Sequence, residues 1–394
     1  MNNTSSIVKL PLNLSRDAYQ MTKNGSNTSI AGHSVDHFGA IFSLQNAVLF
    51  LILIVSVIGN SYIITMTTWS RWKHKQKGRK LIDHLTTHLA LMDLLLVITS
   101  IPEMLIHNIY STFVFGPIGC KIIYPLSTHA VITSALTLLI IAYERYQASK
   151  IQTVIIRSKY KAIVLSSVSF GSIVLVCPYS WILTYQSNST ATEASCFERW
   201  DMSYRRVYTL VLFMVQYACP ALLMIYYYYC TWRNIRTSTN DLIARMSVEH
   251  TPLLKDKTSP VGKGGTPPRY QVESHKSTFT SLNSSFVKKI STSSSAPNSK
   301  VLFQRLFLCR ELTKKFTIIV LVFLSFALPN QLLWLYIDFA QDGNINFDEG
   351  ITNLSYILTF ANCVVNPIVY GKRNSKKYST IFKGWRRTLT SSSD

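Results

Sequence analysis

The sequence predicts an all-α membrane protein, a bundle of seven transmembrane helices. Three observations carry that expectation. Only 15% of the 394 residues are charged, where a soluble chain carries about 25%. Seven apolar stretches lie near 42–68, 84–107, 118–143, 161–184, 207–231, 313–338 and 351–371. Each is at least as long as the roughly 20 residues that cross a hydrocarbon core. They are too long and too continuously apolar for barrel strands, so helices must satisfy their backbone groups. Lys and Arg, finally, collect in alternate loops.

That alternation explains a net charge of +21, which would otherwise suggest a nucleic-acid binder. Ser70–Lys80 carries Arg71, Lys73, Lys75, Lys77, Arg79 and Lys80 with no acid. The loop after span 3 adds Lys150, Arg157, Lys159 and Lys161, and residues 372–387 add seven more basic residues. The loops 108–117 and 339–350 have no Lys or Arg. This positive-inside pattern expects a plasma-membrane protein with its N-terminus outside, facing the lipid bilayer and no nucleic acid.

Taken in order, residues 1–40 are polar and expected to be a disordered extracellular segment. Asn2, Asn3, Asn13, Asn24 and Asn27 begin glycosylation triplets there, and Asn188 begins another after span 4. No apolar signal segment precedes span 1, which is expected to serve as the insertion signal. The membrane domain is expected over 41–373, interrupted by a long disordered cytoplasmic loop at 237–300 that is rich in Ser, Thr, Lys and Pro. Residues 374–385 alternate basic and aromatic side chains, which suits an amphipathic helix on an anionic membrane face; an unstructured basic tail is the alternative. Residues 386–394 form a tail with candidate phosphorylation sites.

Polar residues inside the spans are costly in lipid and are functional candidates. Asn60 follows Gly59 in span 1. Asp93 sits mid-span in Leu89-Ala90-Leu91-Met92-Asp93. Ser134 lies eleven residues before Arg145. Asn362 and Asn366 are four apart, on one face of span 7. Glu144-Arg145-Tyr146 closes span 3, and Asn366-Pro367-Ile368-Val369-Tyr370 closes span 7. Pro102, Pro178, Pro220, Pro329 and Pro367 sit in or near the spans, where proline kinks a helix.

These two motifs, on spans 3 and 7, with Cys120 before span 3 and Cys196 in the loop after span 4, resemble the rhodopsin-like family of G-protein-coupled receptors. The resemblance covers roughly residues 40–380. It implies a Cys120–Cys196 disulfide, and an extracellular β-hairpin formed by the loop that holds Cys196. It implies that Glu144, Arg145, Tyr146, Tyr228, Asn366, Pro367 and Tyr370 couple to a heterotrimeric G protein. Tyr226–Tyr229 could equally be interfacial aromatics. Arrestin would engage a phosphorylated tail or third loop. At the family's positions, Asn60, Asp93, Ser134, Asn362 and Asn366 form a polar network around a sodium ion, or a structural hydrogen-bond network with a protonated Asp93.

Departures accompany the match. Ala327 replaces a tryptophan in Phe326-Ala327-Leu328-Pro329, and Ser166-Ser167-Val168-Ser169 lacks the tryptophan of span 4. Ser127 stands where an amine-binding carboxylate would be, and Phe360 stands where retinal would attach, so neither ligand class is expected. Cys196-Phe197-Glu198-Arg199-Trp200 resembles receptors for neuropeptides of the neuropeptide Y, tachykinin, orexin and RFamide type. Glu193, Glu198, Asp201, Glu103 and Asp338 suggest an acidic mouth that favours a basic, amidated peptide. Glu103, Ser127, Glu198, Trp200, Asn330, Gln331, Trp334 and Tyr356 are the ligand-binding candidates. A receptor for a lipid or other small molecule, or a constitutively active receptor, is the alternative. A transporter is more distant, since no repeat or set of midplane charges is evident. No paired nucleophile and base or metal set suggests an enzyme.

Overall fold

The computed structural model describes residues 29–74, 81–150, 158–187, 194–249, 297–339 and 349–390. The helices are α1 Ser29–His74, α2 Leu81–Tyr110, α3 Gly116–Ser149 and α4 Ser158–Ile182. Strands β1 Leu183–Ser187 and β2 Ala194–Glu198 follow. Then come α5 Met202–Phe213, a π-helical turn at Met214–Ala218, α6 Cys219–Glu249, α7 Pro297–Phe339 and α8 Glu349–Thr390. Among the described residues, six helical rods are long and apolar enough to cross a membrane, with α5 through α6 counting as one. The seventh, α8, is tempered by Asn353, Asn362, Asn366 and Pro367. Asn353 and Asn366 are buried against protein, so the sequence is less apolar without exposing those amides to lipid.

Helix ends differ from the sequence expectation for local reasons. Helix α1 starts at Ser29 rather than near 42, because no proline interrupts the intervening chain. Helices α6 and α7 reach into the expected 237–300 loop. Helix α6 stops three residues before Pro252, whose predecessors are pushed away from helical backbone. Helix α7 begins on Pro297, a residue suited to a first turn. The short separate helix expected at 374–385 is instead continuous with span 7 in α8. Gly371 alone is weak there, and its cost of about 1 kcal/mol does not stop a helix. Residues 1–28, 250–296 and 391–394 lie outside the described residues.

The chain forms two compact units. The first comprises Met1–Glu144, Val154–Tyr227 and Lys315–Asp394, and the second Arg145–Thr153 and Tyr228–Lys314. In the first, α1 packs on α2 and α8, and α2 also meets α4. Leu49, Ile52, Leu96, Val97, Ile101, Met104, Ala130, Phe360 and Cys363 form its core between spans 1, 2, 3 and 7. Gly59 lets α1 approach α8: a Cβ there would lie 2.6 Å from the Pro367 ring.

Span 4 lacks its expected tryptophan, and polar bonds hold it. His88 contacts Thr137 at 3.0 Å through Nδ1 and Ser169 at 3.1 Å through Nε2. His129 Nδ1 and Thr133 both contact Ser172, each at 2.7 Å. Hydroxyl and imidazole bonds of this kind join helices where lipid offers no partner.

Prolines shape the remaining helices. Pro125, inside α3, was not among the residues singled out from the sequence. The π turn at Met214–Ala218 directly precedes Pro220, with Cys219 N–H reaching Met214 O. A proline cannot donate the next helical bond and crowds the preceding turn, so a wider turn relieves it.

Candidate functional site

The hairpin is antiparallel, pairing Leu183 with Glu198 through Ser187 with Ala194. Cys196 of β2 is joined to Cys120 of α3, with Cα atoms 5.6 Å apart. Phe113, Cys120, Leu183 and Cys196 form a buried cluster with Tyr124 and Tyr179 against it. Phe113 N–H donates to Ala194 O at 2.8 Å, and Ala194 N–H donates to Thr112 Oγ1 at 2.9 Å. The hairpin is thus tied to α3 by the disulfide and to the turn between α2 and α3 by hydrogen bonds at Thr112 and Phe113. The implied β-hairpin and disulfide are both present.

Beneath the hairpin lies a cavity of about 220 Å³. Glu103, Ser127, Glu198, Trp200, Asn330, Gln331, Trp334 and Tyr356 all line it. Eight candidates spread over α2, α3, β2, the loop after it, α7 and α8 therefore share one space. Leu96, Met104, Ile123, Leu212, Phe213 and Phe360 make much of its wall apolar.

Several candidates are already engaged. Ser127 binds the hydroxyls of Thr99 and Ser100 at 3.0 and 2.8 Å. Gln331 Oε1 accepts from Gln216 Nε2 at 2.9 Å, and Asn330 Oδ1 accepts from Ser355 at 3.4 Å. Glu198 accepts from Tyr179 OH at 2.9 Å and from Trp200 Nε1 at 3.1 Å. Arg205 of α5 lies between two acids, with Nε 2.9 Å from Asp338 Oδ1 and 3.9 Å from Glu198 Oε2. Thr209 also donates to Asp338, and Arg206 Nε donates to Asp338 O at 2.9 Å. Burial pushes the Glu198 carboxyl above its ordinary value, and the Arg205 guanidinium opposes that shift.

The expected acidic mouth is therefore narrower than its sequence. Asp201 caps α5 by accepting from Ser203 N–H at 2.9 Å, an ordinary N-cap. Asp338 and Glu198 share Arg205, and Glu193 lies outside the described residues. Glu103, by contrast, is not a rim residue. It is buried in the cavity and accepts a 2.7 Å bond from Tyr124 OH.

Deeper, Asp93, Ser134, Asn362 and Asn366 line a second cavity of about 40 Å³. Asn366 Nδ2 donates to Asp93 Oδ2 at 2.7 Å. Asn60 Nδ2 donates to the Ser56 and Cys363 carbonyls, each at 3.0 Å. The Ser134 Oγ and the side-chain oxygens of Asn60 and Asn366 are buried without a hydrogen-bond partner among the described residues. Buried oxygens left open beside a carboxylate fit a hard cation or ordered water. Beside Phe323 of the deeper cavity, Tyr217 OH donates to Leu324 O at 2.8 Å and its ring lies 6.5 Å from that of Phe323. Ala327, buried, leaves Phe323 as the aromatic side chain of this segment that lines the deeper cavity.

The candidate coupling residues fall in both units. In the first, Tyr370 is buried edge-on against Phe316 at 5.6 Å, Pro367 meets Gly59, and Glu144 is half-buried. In the second, Arg145 is 5% exposed and Tyr228 6%. There Lys150 Nζ lies 4.2 Å from the centre of the Tyr146 ring, and Asn234 donates to Ser149 at 3.0 Å. The candidate glycosylation residues Asn2, Asn3, Asn13, Asn24, Asn27 and Asn188 lie outside the described residues.

Sequence reasoning missed Arg205, Tyr124, Tyr179 and Gln216. Arg205 and Arg206 are adjacent, and only their placement on α5 decides that Arg205 turns into the cavity.

A fold of seven membrane helices, a disulfide-tied hairpin and a cavity beneath it defines a receptor of the heptahelical class. The family model for the 7 transmembrane receptor (rhodopsin family) matches residues 43–370, and the chain belongs to that family. It is a multi-pass membrane G-protein-coupled receptor, not an enzyme. It is 24% identical over 340 residues to the [Phe13]-bombesin receptor of Bombina orientalis, covering 83% of this chain and 72% of that one. It is 29% identical over 182 residues to the gastrin/cholecystokinin type B receptor of Canis lupus familiaris, covering 44% and 38%. It is 24% identical over 332 residues to bombesin receptor subtype-3 of Ovis aries, covering 80% and 68%.

Proposed function

We propose that this receptor answers an extracellular, basic and amidated neuropeptide and passes the signal to a heterotrimeric G protein. The observation that carries the reading is the charge of the cavity beneath the hairpin. Glu103, Glu198 and Asp338 line it with Arg205, an excess of acidic over basic side chains among its lining residues. A low-dielectric cavity with that excess attracts a cationic group. The relatives are named as bombesin and gastrin/cholecystokinin receptors, which supports a peptide ligand.

In this reading the chain sits in the plasma membrane with its N-terminus outside and its basic loops inside. Arg145, Tyr228 and Tyr370 change partners when the G protein docks, and arrestin binds the phosphorylated tail or third loop. Asp93, Ser134, Asn362 and Asn366 would hold a sodium ion, which supplies a positive charge beside Asp93. The test is a calcium and cyclic-AMP screen of transfected cells against amidated neuropeptides, with lipids as a parallel arm. Activation by amidated basic peptides is expected. Activation by lipids alone would overturn the reading in favour of a lipid receptor.

A further inference from the structure

Of the three carboxylates in the ligand cavity, two are answered from within the chain. Arg205 sits 2.9 Å from Asp338, which Thr209 also binds. Glu198 faces the same guanidinium at 3.9 Å and takes two further hydrogen bonds, from Tyr179 and Trp200. Glu103 differs. It is 6% exposed, lines the cavity from α2, and receives one bond, from Tyr124 OH. No Lys, Arg or His pairs with it among the described residues. A buried carboxylate without a counter-cation is unfavourable for the fold alone, since one phenol does not replace lost hydration. Such a group is a functional-site candidate, answered either by a proton or by a charge brought from outside the fold.

The surroundings indicate what that charge is. Tyr124, Tyr356 and Trp334 supply aromatic faces to the same cavity. A planar guanidinium stacks on such faces and forks onto a carboxylate, whereas an ammonium prefers water. The cavity, about 220 Å³, is smaller than the roughly 300–1,000 Å³ that encloses a drug-sized ligand. It suits one side chain entering under the hairpin, not a whole peptide.

We infer that Glu103 is the specificity-determining anchor of this receptor, receiving the guanidinium of one arginine side chain of the ligand. The Glu198–Arg205–Asp338 group lines the same cavity, paired within itself, and does not bind that cation. This rests on the cavity being the agonist site, and it replaces Glu198 with Glu103 as the residue that reads ligand charge.

The experiment uses the purified full chain and two small probes, arginine amide and its neutral isostere citrulline amide. Thermal unfolding is followed over a titration of each. Arginine amide should raise Tm by about 3–6 °C at tenfold its Kd, and citrulline amide should not. Glu103→Gln should abolish that shift, while Glu311→Gln, at an exposed carboxylate outside the cavity lining, retains it. Without probe, Glu103→Gln should be as stable as the wild type or more so, because it removes an uncompensated charge. Equal shifts with both probes, no shift with either, or an undiminished shift in Glu103→Gln would each overturn the inference. So would a fall in the probe-free Tm of Glu103→Gln, which would make Glu103 a prop for Tyr124. Because this assay reads cavity binding and not signalling, a lipid-only result in the cell screen would sink the peptide reading separately.

Discussion

Replacing Gly59 with Ala should destabilise the receptor although alanine is the better helix former. Gly59 sits where α1 meets α8, and the added Cβ would lie 2.6 and 2.7 Å from Cβ and Cγ of Pro367. Both distances are too short for non-bonded carbons, and a proline ring cannot rotate aside. The helices must separate. Overpacking of a close-packed contact costs about 1–3 kcal/mol. Separation also strains the 3.0 Å bond from Asn60 Nδ2 to Cys363 O on the adjacent turn, worth about 1 kcal/mol. The helix-propensity gain of about 1 kcal/mol offsets one of these terms. The net expectation is a loss of about 1–3 kcal/mol, or roughly 2–10 °C in Tm for a large domain. Gly171→Ala is the control, since nothing lies within 4 Å of its added Cβ. There the propensity term acts alone and Tm should hold or rise. Thermal unfolding of the detergent-solubilised chain reads both variants. If Gly59→Ala is as stable as Gly171→Ala, the close approach of α1 and α8 is not a packing constraint and this reasoning is wrong.

Other outcomes follow from the same structure. Cys120→Ala opens a crosslink across 76 residues of sequence, and should cost about 4 kcal/mol by chain entropy; peptide mapping of the wild type that finds two free thiols would refute the link. Arg145→Ala should reduce calcium and cyclic-AMP signals to background while surface expression, read by antibody, stays near wild type. Normal signalling by that variant would remove Arg145 from the coupling machinery. Sodium chloride should raise Tm relative to choline chloride, and Asp93→Asn should abolish the difference. An equal salt response in that variant would leave Asp93 in a structural network instead.

Much of this protein is legible in its sequence because lipid imposes simple rules. Apolar runs of membrane length must be helices, and basic loops mark one side, so span number and position follow from local composition. The short motifs on spans 3 and 7 carry the family, because their spacing is fixed within single helices. All eight ligand candidates line one cavity, six from helix faces and Glu198 and Trp200 from the end of the hairpin. Which of those residues remain available to a ligand was not legible. Arg205 neutralises Asp338 across 133 residues of sequence and leaves Glu103 as the unanswered carboxylate, a pairing that no local pattern encodes. His88 and His129 take over at span 4 where a tryptophan is missing, through bonds to α3 and α4 that depend on how three helices rotate. Helix propensity and hydropathy act along the chain, whereas the balance of buried charge and the reach of a side chain act across it. The first determined the heptahelical receptor; the second, set by tertiary packing alone, decided that Arg205 pairs with Asp338 while Glu103 lines the cavity bonded to Tyr124.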